Sequence, residues 1–222
     1  MLIPSHGIRG TVVMREVCLV KKKIWDRYAP IYEKAMKAEV NTYRFMYERI
    51  PEIIRGKDVL EIAAGPGLLA KRVAPAARRM IATDASEGMM AQAKKGICPV
   101  NLVFEVADAT SLPYADHAFD AVIIANALHI IPGPNRVLQE INRVLRPGGV
   151  LIAPNFVEEK GGIGSVIWSV ILKIAGIRME QNWTGRAYLD WLESQGWQVA
   201  FHHRLDARVT LMYTECRRKK EG

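Results

Sequence analysis

Three acidic residues occupy places in the sequence where side chains can meet a bound ligand. Glu61 lies within the first of several short apolar runs, Asp84 closes the second run, and Asp108 follows the third. If these runs are parallel strands, their carboxyl ends share the sheet edge at which ligands bind. The first carboxylate then favours a ligand with an amino group, the second can accept both hydroxyls of a ribose, and the third can hold an adenine amino group.

A glycine turn, Gly65-Pro66-Gly67, follows the first run and lets the backbone pass close to a ligand. Residues 65–70 also satisfy the dinucleotide pattern GxGxx(G/A), so the turn alone does not decide between ligands. Glu61 favours a cationic ligand, because a pyrophosphate gains nothing from a nearby anion. None of the seven tyrosines precedes a lysine by four residues, as a short-chain dehydrogenase requires. Together, the acids describe S-adenosylmethionine, which has an amino acid end, a ribose and an adenine in that order.

The elements that must position these residues alternate between strand and helix from residue 58 onwards. Strands are predicted at Asp58–Ala63, Met80–Thr83, Asn101–Val106, Asp120–Ala125 and Gly149–Phe156. Helices are predicted between them over residues 68–77, 86–95 and 134–145. Such alternation within one domain is typical of a parallel sheet with helices on both faces.

The chain after residue 156 follows a different pattern. Thr184 can cap a helix that runs to about Gln195, and two strand-like runs follow, Trp197–His203 and Arg208–Cys216. Two consecutive strands without a helix between them must pair antiparallel, because a parallel return needs a long crossover. The sheet is therefore expected to finish in an antiparallel hairpin.

We divide the chain into a flexible tail (1–19), a helical lid segment (20–57) and the main domain (58–222). The helix of the lid segment is expected to break at Pro30 and to stop at Pro51, because proline disrupts a helix interior.

Composition limits the partners. The chain has 222 residues and a net charge of +8, of which residues 1–30 and 202–222 hold +7, as twelve basic against five acidic residues. A nucleic-acid groove would show basic residues in the body of the domain, so we expect no DNA partner and disfavour RNA. The three cysteines lack disulfide or zinc spacing, which fits the cytoplasm and no bound metal. Residues 161–172, the longest uncharged apolar run, are too few to span a bilayer.

Several motifs make the chain resemble the class I S-adenosylmethionine-dependent methyltransferases, particularly the small-molecule group that includes the ubiquinone/menaquinone C-methyltransferases. The resemblance covers about residues 58–153. The motifs are Val59–Gly67, Thr83–Ser86, Ala107–Ala109, Phe119–Asn126 and Arg143–Gly149. It implies a Rossmann-like α/β three-layer sandwich, with a mostly parallel seven-stranded sheet and an antiparallel C-terminal hairpin.

The resemblance also implies roles for single residues. Glu61 would bind the methionine amino end, Gly65 and Gly67 would frame it, Asp84 would hold the ribose, and Asp108 would hold the adenine. The full set expected to bind S-adenosyl-L-methionine is Glu61, Ala63, Gly65, Pro66, Gly67, Asp84, Ala85, Met89, Asp108, Ala109 and Asn126. Family members often have glycine where Ala63 stands, and we expect that difference to change little.

Methyl transfer from a sulfonium disperses charge, so an apolar site that excludes water favours it, and a lid is expected. Trp25, Tyr28 and Tyr32 fall at i, i+3 and i+7 and could present aromatic rings over the cofactor and the acceptor. Trp168 belongs to a second candidate, the helical insertion at about 161–182, which has apolar residues on two sides. Packing against the sheet explains either feature equally simply, and a dimer contact or a membrane surface could also cover the insertion.

Two polar residues are candidates for contact with the acceptor. His129 follows the fourth predicted strand, beside the expected methyl position, and could act as a base or line the pocket. Asn155 could also reach an acceptor.

We therefore expect a cytoplasmic enzyme that methylates a small apolar or aromatic acceptor at O, N, S or C. It would be a monomer or homodimer without integral membrane association, although peripheral contact stays open. The alternatives are a non-catalytic S-adenosylmethionine-binding protein and a methyltransferase acting on RNA or protein.

Overall fold

The computed structural model describes residues 25–26, 40–158, 180–206 and 209–219. Within them, the strands are β1 Asp58–Ile62, β2 Arg79–Asp84, β3 Leu102–Val106, β4 Phe119–Ile124, β5 Leu145–Ile152, β6 Asn155–Phe156, β7 Trp197–Leu205 and β8 Leu211–Arg218. The helices are α1 Val40–Ile54, α2 Leu68–Val73, α3 Glu87–Ala93, α4 Pro134–Val144 and α5 Gly185–Ser194, with a 3-10 turn at Ala74–Ala76. The predicted alternation of strand and helix is confirmed.

Parallel pairing brings the carboxyl ends of the first four strands to one edge of the sheet. The strand order is β3-β2-β1-β4-β5-β8, and β7 pairs with the outer side of β8. Strand β1 pairs in parallel with β2 on one side and β4 on the other. Strand β2 pairs in parallel with β3, and β4 pairs in parallel with β5. The order reverses between β1 and β4, and open α/β sheets bind ligands at such a reversal.

Two apolar layers bury the central strands. All five residues of β1 are buried, which explains its almost continuous apolar sequence. Val59 packs with the helices on one face of the sheet, α1, α2 and α3, whereas Leu60 and Ile62 pack with α4 and α5 on the other face. The result is a three-layer sandwich, in which β1 lies in the central sheet between the two apolar layers.

The C-terminal strands pair antiparallel, as predicted. Strand β8 pairs with β7 along their length, and Leu151 of β5 is opposite Cys216. Strand β6 continues the same register, with Asn155 opposite Met212, so β5 and β6 are one strand interrupted at residues 153–154. The eight segments therefore follow the seven-stranded path that was expected.

The predicted end of the N-terminal helix at Pro51 is wrong. Helix α1 continues through Pro51 to Ile54. Met46, Ile50 and Ile54 are fully buried and fall at four-residue intervals on one face of the helix. Burial of these side chains against the sheet outweighs the backbone hydrogen bond that Pro51 cannot donate.

Candidate functional site

A cavity of about 410 Å³ opens at the carboxyl ends of β1 to β4. It brings together most of the predicted cofactor residues, namely Glu61, Ala63, Gly65, Pro66, Asp84, Ala85, Met89, Asp108, Ala109 and Asn126. Trp25 also lines it. Residues that sequence reasoning missed include Tyr43, Leu68, Ser86, Ile130, Ile131 and Pro132.

Glu61 has a buried carboxyl group without a counter-charge among the described residues. Its side chain lines the cavity, yet the residue is only 2% exposed, and its Oε2 has no hydrogen-bond partner among the described residues. Burial, with a smaller contribution from Asp84, raises the pKa of Glu61 to about 8. An ammonium group would satisfy both the charge and the free oxygen.

Asp84 connects the glycine turn to the second strand. Its Oδ2 accepts a hydrogen bond from the Gly65 amide at 2.9 Å, and its Oδ1 accepts one from the Ser86 amide at 2.9 Å. Burial raises the pKa of Asp84, while these amide donors act to lower it. The carboxylate therefore fixes the turn as well as presenting its remaining lone pairs to the cavity.

Asp108 lies in a tight turn after β3. Its Oδ1 accepts hydrogen bonds from the amide and hydroxyl of Thr110, both at 2.8 Å. Helix α4 supports the turn, because Arg136 donates to the Thr110 carbonyl oxygen and Glu140 accepts from the Leu112 amide.

Two residues at the strand ends have a left-handed backbone that glycine usually adopts. Ala63, after β1, has φ 54°, and Asn126, after β4, also has φ 54°. Both line the cavity, and both polar side-chain atoms of Asn126 are buried without a hydrogen-bond partner among the described residues. Such strain concentrates at functional sites. The expectation that alanine for glycine at position 63 changes little overlooked this geometry.

Gly67 supports the site from behind the cavity and does not line it. It has φ 74° and begins helix α2. A Cβ atom here would lie 2.7 Å from the Phe104 ring and 3.2 Å from Ala93 Cβ. Glycine is therefore required for close packing of the turn on the layer beneath it.

His129 and Asn155 lie beside the cavity and are not part of its lining. The Nδ1 atom of His129 and the Oδ1 atom of Asn155 are 2.9 Å apart, and the His129 ring meets Phe156 edge-on. Burial lowers the pKa of His129 to about 4, so the ring is neutral and a weak base at pH 7. Catalysis by His129 stays a prediction, and its ring faces Asn155 and Phe156 in this structure.

The backbone of His129 has a second function that its sequence position did not reveal. Its carbonyl oxygen accepts hydrogen bonds from the amides of Glu180 and Gln181, at 2.9 and 3.1 Å. The Glu158 amide donates to the Trp183 carbonyl oxygen at 2.8 Å. Described residues on either side of residues 159–179 of the predicted insertion are thus bonded to one another, and residues 180 and 181 are bonded to His129. Tyr28, Tyr32 and Trp168 lie outside the described residues.

The described residues contain neither a metal site nor a helix that could span a membrane. No three His, Cys, Asp or Glu side chains there come close enough together to hold a metal ion. None of the described helices is long and apolar enough to cross a membrane.

The sheet order and the acid-lined cavity at its reversal match the arrangement that the resemblance to class I S-adenosylmethionine-dependent methyltransferases implies. Solved structures with this fold include the DhpI–SAH complex, with a TM-score of 0.70, 20% identity and coverage of 90% of this chain and 96% of that one. A S-adenosylmethionine-dependent methyltransferase from Thermotoga maritima has a TM-score of 0.69 and 20% identity, and covers 89% and 99%.

Sequence comparison finds similarity to methyltransferases over part of the chain. Residues 60–153 match the family described as "Methyltransferase domain". A demethylmenaquinone methyltransferase of Renibacterium salmoninarum is 28% identical over 76% of this chain and 77% of its own length. The ubiquinone/menaquinone biosynthesis C-methyltransferase UbiE of Rickettsia prowazekii is 34% identical over 52% of this chain, and the match spans 50% of that relative.

The residues of the cavity fit S-adenosylmethionine. The Glu61 Oε2 and the Asn126 side chain, which have no hydrogen-bond partner among the described residues, are suited to the polar amino acid end of the ligand. None of the described lining residues is Lys, Arg or His, which argues against a ligand with a pyrophosphate. Asp84 and Asp108 are available for the ribose and the adenine.

Glu61→Gln should weaken the binding of S-adenosylhomocysteine, because the amide cannot pair with the ligand's ammonium group. A hydrogen bond to a charged group contributes roughly 1.5–3 kcal/mol, so we expect a loss of about tenfold or more in affinity. Burial raises the pKa of Glu61 to about 8 in the free protein, and we expect the group to ionise when the ligand's ammonium group binds beside it. Binding at pH 7 should therefore release close to one proton, measured by calorimetry in buffers of different ionisation enthalpy.

The matched control is Glu105→Gln, which changes an acid on β3 outside the cavity lining and should leave proton release unchanged.

The raised pKa of Glu61 also predicts that Glu61→Gln, which weakens ligand binding, stabilises the free protein at alkaline pH. Because the folded pKa of Glu61 lies above its ordinary value of 4.5, stability falls as pH rises from about 4.5 to 8. Above pH 8 the Glu61→Gln variant should unfold at a higher temperature than the wild type. Affinity independent of pH would contradict the assignment.

Ala63→Gly should stabilise the protein, because glycine adopts φ 54° without a Cβ clash. We expect a gain of up to about 1 kcal/mol in the free energy of unfolding, measured by urea denaturation. Ala64→Gly is the control, because Ala64 has no positive φ and should lose stability on the same change. Equal losses at both positions would show that the left-handed backbone carries no strain.

Proposed function

We propose that this methyltransferase transfers the methyl group of S-adenosylmethionine to a carbon atom of a small aromatic acceptor of the quinol type. The observation that carries the proposal is the composition of the cavity, in which the acids share the lining with an apolar part. The apolar part includes Trp25, Tyr43, Ile130, Ile131 and Pro132. A flat aromatic acceptor would bury apolar area against these side chains.

The relatives support the choice of acceptor class. Their names describe methylation of demethylmenaquinone and carbon methylation in ubiquinone and menaquinone biosynthesis. The absence of Lys, Arg and His from the described lining residues disfavours RNA, because the phosphates of a nucleic acid need cationic partners. An acceptor with a long apolar tail is also compatible with peripheral contact at a membrane surface.

When bound, the cofactor supplies an electrophilic methyl group on a sulfonium. Glu61, Asp84 and Asp108 would hold the cofactor, and the ring carbon of an ionised quinol would take its methyl group while the electron pair of the carbon–sulfur bond stays on sulfur. The methylated ring carbon would then lose its proton to a water molecule. The chain contributes mainly orientation and exclusion of water, and orientation alone provides roughly 7–11 kcal/mol in intramolecular reactions.

The residues of the chain divide this work. Tyr43 on α1 and Trp25 offer aromatic faces, which can stack on the acceptor ring and attract the sulfonium. Ile130 and Ile131 complete an apolar wall. We assign His129, which directly precedes this wall, to its support, since the buried neutral ring is bonded to Asn155.

The proposal predicts methylation of a reduced, short-chain prenyl-naphthoquinol. The product should gain one methyl group on a ring carbon, detected by mass spectrometry and located by NMR. Tyr43→Ala should raise KM for the quinol about tenfold, because a loss of about 1.4 kcal/mol of apolar contact corresponds to that factor. Tyr43→Phe keeps the ring and should remain close to the wild type.

The control acceptors are a catechol, a thiophenol, a primary amine and total RNA. Methylation of the catechol, thiol or amine in preference to the quinol would replace the acceptor class. Methylation of RNA would favour the nucleic-acid alternative. Binding of S-adenosylhomocysteine without transfer to any acceptor would favour a non-catalytic binding protein.

A further inference from the structure

The described pair Trp25–Asp26 contacts the start of helix α3. One carboxylate oxygen of Asp26, Oδ1, accepts hydrogen bonds from the Ser86 hydroxyl at 2.5 Å and from the Gly88 amide at 2.8 Å. The contact is close, since a Cβ atom on Gly88 would lie 2.8 Å from the Asp26 Cα atom. Asp26 is separated from these partners by about sixty residues of sequence, so this is a tertiary contact.

Ser86 joins this contact to the cofactor acid. Its amide donates to Asp84, and its hydroxyl accepts from the Met89 amide while donating to Asp26. Ser86 is 1% exposed, and the two bonds fix the direction of its hydroxyl. One continuous set of hydrogen bonds therefore runs from Asp84 through Ser86 to Asp26.

Trp25 and Asp26 face different partners although they are neighbours. The Asp26 side chain is bonded to α3, whereas Trp25 lines the cavity together with Ser86 and Met89. Helix α3 already has its own cap, because Ser86 accepts from the Met89 amide. Asp26 thus accepts a further hydrogen bond at this helix end, and that bond joins a distant segment of the chain to the helix.

We propose that Asp26 is a positioning residue, which holds Trp25 in the cavity wall so that cofactor affinity depends on Asp26 through Trp25. This inference concerns the cofactor side of the site and holds whichever acceptor is methylated. The bonds from Ser86 and Gly88 hold the Asp26 side chain, the Asp26 backbone packs closely on Gly88, and the adjacent Trp25 lines the cavity. Ser86 relays the contact to Asp84.

The test is a double-mutant cycle on the binding of S-adenosylhomocysteine, measured by calorimetry. Trp25→Ala and Asp26→Ala should each weaken binding about tenfold, and the double variant should be no weaker than either single variant. Gly88→Ala leaves the side chains of Trp25 and Asp26 unchanged, but its Cβ atom would clash with the Asp26 backbone. It should weaken binding in the wild type and have no further effect when Asp26 is already alanine. Asp26→Asn, which keeps an acceptor oxygen, should restore part of the affinity.

Fluorescence separates positioning from helix capping. Ligand binding should change the tryptophan emission, and the part of that change that is lost in Trp25→Phe comes from Trp25. Asp26→Ala should abolish this Trp25 part of the change. If Asp26→Ala lowers only the unfolding temperature and leaves affinity and this signal intact, Asp26 is a cap and the proposal is overturned. Additive losses in the cycle would also overturn it. Failure of quinol methylation with intact ligand binding would refute the acceptor and leave this inference standing.

Discussion

The site depends on one buried carboxylate that the described part of the protein does not neutralise. Glu61 is held inside the central strand β1, between two apolar layers, and its Oε2 has no partner among the described residues. Leaving such a group unpaired costs about 1–3 kcal/mol or more. The favourable free energy of apolar packing around β1 offsets this cost, and a bound ammonium group would remove it. Affinity for a cationic ligand is therefore built into the core of the sheet.

The other predicted cofactor residues are arranged around that carboxyl group by backbone contacts. Asp84 fixes Gly65 and Ser86 through their amides, and Ser86 continues to Asp26. The turn after β1, the end of β2 and the Trp25–Asp26 pair are consequently joined to one another. A site of this kind achieves its precision through hydrogen bonds between segments that are distant in sequence, which explains why few of its lining residues need to be large or charged.

Local patterns were sufficient for much of this result. The apolar runs and glycine turns predicted the parallel strands and the cavity, since both depend on spacing along the chain. Pro51 was misjudged because burial of Ile50 and Ile54 overcomes a local helix breaker. Tyr43 was missed because the aromatic spacing that singled out Trp25, Tyr28 and Tyr32 within the lid segment does not extend to it.

The sequence by itself determined the fold class, and it predicted the edge of the sheet and the three acids that we expect to bind S-adenosylmethionine. Those features follow from the periodicity of single elements and from the rule that parallel strands share an edge. The tertiary structure alone decided that the Glu61 Oε2 has no partner among the described residues, that Ala63 is strained and that His129 faces Asn155. Burial, backbone conformation and hydrogen-bond partners arise from contacts across the chain, and no local pattern encodes them.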